Sequence, residues 1–322
     1  MPVRTPHFPD LLFGSAARLR RWEGALMGLL ADHGYRELHP SLVLREAIPD
    51  GALRFFDGDD LVALRWDFTM ALAGLLARGF PEPPARVAYA GAVFRRPVQP
   101  WEPVERFEVG CERIQPEGEF STEADVELAR LLMAIPGVLG LKSAILHLGN
   151  AALVRRPLEA EGLFSGLADE VVAALSRRAP HRVAQAMKGH PAAARVLAHA
   201  EALLSELDGP RTLEALKASP YAALLEEERD HMDRALKSLL PILPPNLELR
   251  VDLADVAGLD FYTGPTLRLW APGAQQELAA GGRYDRLFPD LGRPWKAAGF
   301  CVRLSRLLDL AETRPDLFEQ PS

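Results

Sequence analysis

Apolar residues recur at three- and four-residue spacing through Leu19, Trp22, Leu26, Leu29 and Leu30, which gathers them on one face of a helix that Gly34 can terminate. GYRELHP (34–40) follows and reads as a short strand stopped by Pro40, since proline lacks the N–H a ladder needs and drives its predecessor into extended backbone. DLVALR (60–65) predicts a strand, and 69–78 a helix packed on it. ARVAYAGAVFRR (85–96) alternates as a strand does and runs into the proline-rich loop VQPWEPVE; RFEVGCERI (106–114) then returns as a second strand. A loop this long and irregular between two strands points to function more than to a simple hairpin. ADVELARLLMAI (124–135) is an amphipathic helix and SAILHLGN (143–150) another strand.

From about 155 to 243 the character changes: the segment is rich in Ala, Leu, Glu and Arg, and strand signals almost vanish. Leu225, Met232, Leu236, Leu239 and Leu240 share a helical face there. PILPPN breaks the pattern, and strands resume with LELRVDLADV, PTLRLWA and QELAAGGRYDRL, the last two joined by the turn APG. GFCVRLSRLLDLAE reads as a strand running into a helix. This order predicts an α+β protein: an antiparallel sheet flanked by helices (1–154 and 244–322), interrupted by an all-helical insertion (155–243).

Composition narrows the function classes. With 322 residues and 48% hydrophobic content, the chain can bury one large core or two smaller ones. Its 37 basic residues against 44 acidic ones give a net charge of -7, which argues against a nucleic-acid partner, because each phosphate contact needs a cation. Cys111 and Cys301 lie far apart in apolar surroundings and read as buried thiols; no Cys/His pair has metal-ligand spacing. No run is apolar enough to span a bilayer and MPVRTPHFPDLLFG lacks a signal-peptide core, so the expected compartment is the cytoplasm, with no membrane partner.

Several residues carry candidate chemistry. Arg95 closes an apolar strand, where a charge needs either an ion-pair partner or a ligand. Asp67, Glu108 and Glu112 gather on the expected sheet, and Glu108 and Glu112, four apart in one strand, share a face. Crowded carboxylates need something positive between them: a bound ammonium or imidazolium, or a structural arginine. Taken alone, Gly281 and Gly282 of GGRYD mark a bulge or a close backbone approach, without the Gly-Lys-Ser/Thr ending of a phosphate loop. Asp260 and Tyr262 of GLDFYTG are likewise compatible with a turn and a core aromatic.

It is the combination that carries weight. GYRELHP, LRWDFT, FRR, FEVGCE, ADVE, GLDFYTG, AAGGRYD and AAGFCVRLSRL occur in the same order as the signature segments of histidyl-tRNA synthetase, a class II synthetase, and the chain resembles that family from about residue 10 onward. The resemblance implies an antiparallel sheet of six to seven strands, a dimer formed through the region of GYRELHP, and a pocket for histidine. Carried over by motif, Asp67, Thr69 and Glu108 face the ligand's amino group, with Arg95 beside them. Glu112 and Tyr262 face its imidazole, with Tyr284 near and Gly281 and Gly282 as pocket backbone. Charge-assisted hydrogen bonds of this kind suit a zwitterion with a basic ring.

The departures from the synthetases lie on the side that handles ATP and tRNA. Ala257 stands where they carry an arginine that stabilises developing charge, a loss that typically costs on the order of 10²–10³ in rate. Pro97 lies near their loop glutamate, Arg303 replaces a glycine and would intrude on ATP, Ser305 replaces a glutamate, and Arg306 is kept. Glu108 stands where they have glutamine. A core of this kind without the anticodon-binding domain resembles the regulatory subunits of ATP phosphoribosyltransferase. That resemblance implies no catalysis and no cofactor, a short-form catalytic partner, and histidine as the feedback ligand in the first step of histidine biosynthesis. The alternative is a truncated histidyl-adenylate-forming paralogue acting on an acceptor other than tRNA.

Overall fold

The computed structural model describes residues 10–45, 48–78, 82–97, 102–116, 122–205, 209–256 and 258–319; Ala257 and the first half of the proline-rich loop, 98–101, lie outside them. Helix α1 (Phe13–Asp32) buries Leu19, Trp22, Leu26 and Leu30 along one stripe, and the chain leaves it through Gly34 at φ +80°. There a side chain would meet its own backbone, so glycine suits the exit. The short strand β1 (Arg36–Glu37) comes next. β2 (Val43–Leu44), β3 (Arg54–Asp57) and β4 (Asp60–Leu64) form a small antiparallel sheet of their own in the order β2-β4-β3. The anticipated strand at 60–65 is therefore present, but in a layer apart from the main sheet. α2 (Phe68–Ala77) follows, as its periodicity implies.

The long strands β5 (Ala85–Phe94) and β6 (Glu105–Pro116) pair antiparallel, then α3 (Thr122–Val138) and β7 (Ala144–Asn150) follow. After β7 the described residues form helices α4 (Ala152–Ala160), α5 (Leu167–Ser176), α6 (Pro180–Ala186), α7 (Ala193–Leu203), α8 (Gly209–Ala215) and α9 (Glu226–Leu239), without a strand among them. The chain then returns through β8 (Leu247–Val251), β9 (Pro265–Trp270), β10 (Ala279–Arg283), the short α10 (Leu287–Asp290), β11 (Trp295–Arg303) and α11 (Leu304–Thr313). Leu225, Met232, Leu236 and Leu239 are buried as the shared face requires, but Leu240 is 42% exposed. Pro241 cannot continue the ladder, so the chain leaves α9 in a 3-10 turn that turns Leu240 outward.

The main sheet has eight strands in the order β1-β5-β6-β11-β10-β9-β7-β8. Its interior is antiparallel as expected, but both edge pairs, β1 with β5 and β7 with β8, are parallel. Parallel neighbours need a long crossover, and the chain supplies two: the small sheet with α2, and the helical run α4–α9. Alternation along the strands divides the sheet into two faces. Val109, Cys111, Phe300 and Val302 point to the core shared with α1, α3 and α11, while Val87, Tyr89 and Ile114 pack with Phe68, Leu72 and Leu76 of α2. Leu132 of α3 is fully buried in the first of these cores. Leu132→Ala is expected to cost about 2–5 kcal/mol, read in urea denaturation as a lower midpoint with an unaltered slope.

Candidate ligand-binding site

The α2 face of the sheet holds a cavity of about 430 Å³. Asp67, Thr69, Arg95, Glu108, Glu112, Tyr262 and Tyr284 all line it, so residues far apart in sequence meet in one place. The strand register explains how: Glu108 and Glu112 lie on the same face of β6, opposite Arg303 and Gly299 of β11.

Glu112 is buried to 3% exposure, deep in the pocket. Thr69 Oγ1 donates to its Oε1 at 2.7 Å, Tyr89 to the same oxygen at 3.3 Å, and the Tyr284 hydroxyl to Oε2. Gly299 makes room for it: a Cβ there would lie 1.8 Å from Glu112 Oε2. Burial, with the charge of Asp67 adding to it, pushes the Glu112 carboxyl up to about 7 even though the three hydroxyls favour its charged form. It is thus poised near neutrality, able to accept from an imidazolium or to donate to a neutral imidazole.

The other acids are arranged around Arg95. Its Nη2 donates to Asp67 Oδ2 at 3.0 Å, its Nη1 lies 3.5 Å from Glu108 Oε1, and its Nε donates to the Trp66 carbonyl at 2.5 Å. A structural arginine therefore separates Asp67 from Glu108. It lies between the two carboxylates and keeps them from facing each other directly. Asp67 is not on the sheet, as the spacing had suggested: it is the N-cap of α2, where it also accepts from Met70 N at 3.0 Å. Thr69, expected beside Asp67 and Glu108, donates instead to Glu112, because one helical step turns it toward the other end of the pocket.

Gly281 and Gly282 are not among the residues lining the cavity. They lie one layer beneath, where a Cβ on Gly281 would come within 2.4 Å of the Gly299 carbonyl and one on Gly282 within 2.9 Å of the Tyr262 ring. Their missing side chains allow the close approach of the strands and of the Tyr262 ring. The Tyr262 loop is held from the helical run: Arg155 of α4 donates to the carbonyls of Leu259 and Tyr262. Phe261 stacks on Tyr284 at 4.7 Å between ring centroids. Tyr89 and Arg155 are functional neighbours that sequence reasoning did not single out. A lone tyrosine in an apolar strand facing Gly110 is a weak signal, and nothing local marks Arg155.

The departures from the synthetase pattern are also in place. Arg303 lines the cavity and donates to Glu277 at 2.7 Å, Arg306 donates to the Glu277 carbonyl at 2.9 Å, and Ser305 accepts from Phe107 N at 2.8 Å. Pro97 is described and half-buried. Among the described residues no cluster of His, Cys, Asp and Glu could hold a metal ion. Cys111 is buried, but Cys301 is only partly so and lines the cavity.

With this geometry, comparison with known proteins is decisive. The histidyl-tRNA synthetase family profile matches residues 7–307. The ATP phosphoribosyltransferase regulatory subunit of Rubrobacter xylanophilus is 30% identical, over 95% of this chain and 76% of that one. This chain belongs to the histidyl-tRNA synthetase-like family of ATP phosphoribosyltransferase regulatory subunits. The family's fold recurs in a protein of Bacillus halodurans described as an ATP phosphoribosyltransferase regulatory subunit/histidyl-tRNA synthetase. It superposes with a TM-score of 0.80 at 22% identity, over 96% of this chain and 83% of that one. A chain of the ATP phosphoribosyl transferase complex of Thermotoga maritima shares the fold at a TM-score of 0.68 and 17% identity, over 91% and 98%.

The Glu112 carboxyl gives the ligand-free protein a distinctive pH response. Its folded value, about 7, lies above the ordinary 4.5, so between those pH values the folded state holds a proton that the unfolded chain has lost. Stability from this group therefore falls as pH rises through that window and levels off above it. Glu112→Gln is expected to remove that fall, so the variant gains on wild type between pH 5 and pH 8 by about 3 kcal/mol at most. Denaturation curves across the range test this; parallel pH profiles for the two proteins would contradict it.

Proposed function

We propose that this regulatory subunit binds free histidine in the cavity between α2 and the main sheet and relays its presence to a short-form ATP phosphoribosyltransferase catalytic subunit. The observation that carries the reading is the division of the pocket: a buried, near-neutral carboxyl among three hydroxyls at one end, and two carboxylates around one guanidinium at the other. The first suits an imidazole and the second an ammonium group. Asp67 and Glu108, held apart by Arg95, would take the amino group, and Glu112, with Tyr262 and Tyr284, the ring. Thr69 would act by orienting Glu112.

The mechanism is linkage rather than chemistry. Histidine that binds one arrangement of the complex more tightly than another shifts the population toward it, and a differential affinity of tens-fold corresponds to about 2 kcal/mol. In this reading the complex works in the cytoplasm; no helix among the described residues is long and apolar enough to cross a membrane. A dimer through the region of β1 belongs to the same proposal. Phe55, Phe56 and Leu61 of the neighbouring small sheet leave apolar surface uncovered, as interfaces do before assembly.

Reconstitution tests the reading. Transferase activity is expected to appear only when this chain and a short-form catalytic subunit are combined, and to fall on adding histidine. Glu112→Ala is expected to raise the histidine concentration needed for half-inhibition at least about tenfold. Histidine-dependent pyrophosphate exchange by the purified chain, with no effect on the transferase, would instead support an adenylate-forming enzyme.

A further inference from the structure

An amino acid brings a carboxylate as well as an ammonium group and a ring, and burying that carboxylate requires a cation. The Arg95 cluster is unsuited to this, because its two carboxylates already outnumber its one guanidinium. Guanidiniums gather instead around Arg303. There the guanidiniums of Arg268, Arg303 and Arg306 share two carboxylates, Glu277 and Asp255. Glu277 Oε1 lies 2.7 Å from Arg303 Nη1, 3.3 Å from Arg306 Nη1 and 4.0 Å from Arg268 Nη1. Arg268 is turned mainly onto Asp255, with Nε 2.8 Å from Oδ2.

Of the three guanidiniums, only that of Arg303 lines the cavity. It stands at the end of β11 in register with Glu108, four residues along the strand from Gly299 and Glu112. At about 3.3 Å per residue this places it roughly 13 Å along the sheet from the imidazole end, near the acids that suit the ammonium. Its side chain is 23% exposed, so water screens it little. Its described side-chain hydrogen bond uses Nη1, and a guanidinium carries five N–H donors in a rigid fork.

We infer that Arg303 is the specificity-determining residue of this pocket, the guanidinium that receives the α-carboxylate of the bound amino acid. The inference rests on the histidine-binding reading above and deepens it. Glu277 clamps one edge of the Arg303 guanidinium, while Asp67 and Glu108 stand at the same end of the cavity on either side of Arg95. Together they complement a zwitterion. The same substitution explains how the site can hold an amino acid without activating it, because a carboxylate paired to Arg303 is withheld from any phosphate.

Titration calorimetry on the full chain with L-histidine, L-histidinol and histamine tests the inference, since the last two keep the ring and amine but lack the carboxylate. Wild type is expected to prefer L-histidine by on the order of 10–100-fold. Arg303→Met is expected to remove most of that preference by weakening L-histidine while changing histamine by less than about threefold, and Arg303→Lys to retain part of it. The ligand series on the unaltered protein gives a result even if Arg303→Met folds poorly: equal affinity for histidine and histamine would overturn the assignment. So would an undiminished preference in a folded Arg303→Met. Failure of wild type to bind any of the three ligands would overturn the histidine-binding reading itself, and this inference with it.

Discussion

Glu112 is a carboxylate buried within the main sheet, and much of the surrounding architecture answers to it. A buried carboxylate without partners would cost several kcal/mol, so three hydroxyls from three elements converge on it: Thr69 from α2, Tyr89 from β5 and Tyr284 from the segment after β10. The neighbouring strand must also yield, and it does so with Gly299, whose missing side chain leaves the space that Glu112 occupies. Those elements are thereby tied to the pocket floor. A ligand that changes the hydrogen bonding of this one group pulls on all of them at once.

The same economy governs the charges. Arg95 lies between Asp67 and Glu108, and Asp67 also caps α2, so a single side chain joins helix geometry to pocket electrostatics. The helical run between β7 and β8 enters this network too. Arg155 holds the Tyr262 loop by its carbonyls, and His231 of α9 meets Asp125, which is also bound by Arg283 beside Tyr284. The run is thus fastened to the Tyr262 loop at one end and to the strand carrying GGRYD at the other. A change at the pocket has a physical route into the helices.

Much of this was legible in the residues themselves. Helical stripes such as Leu19–Trp22–Leu26–Leu30 and the alternation through 85–114 declare their elements because periodicity and burial are the same fact seen from two sides. Seven of the residues that the ordered motifs single out line one cavity. The misreadings share a cause: Leu240 faces solvent, and the sheet's edge pairs are parallel. Each depends on which direction the chain takes after a local element ends, and local pattern does not encode that.

The sequence by itself determined the elements, the family and the chemical types in the pocket, because spacing and residue identity suffice for these. Only the tertiary structure decided that Arg95 is shared by two acids, that Arg303 reaches the cavity with Glu277 behind it, and which strands and ring approach Gly281 and Gly282. Charge balance and close approach are relations between residues distant in the chain. They exist only once β6, β10 and β11 lie side by side.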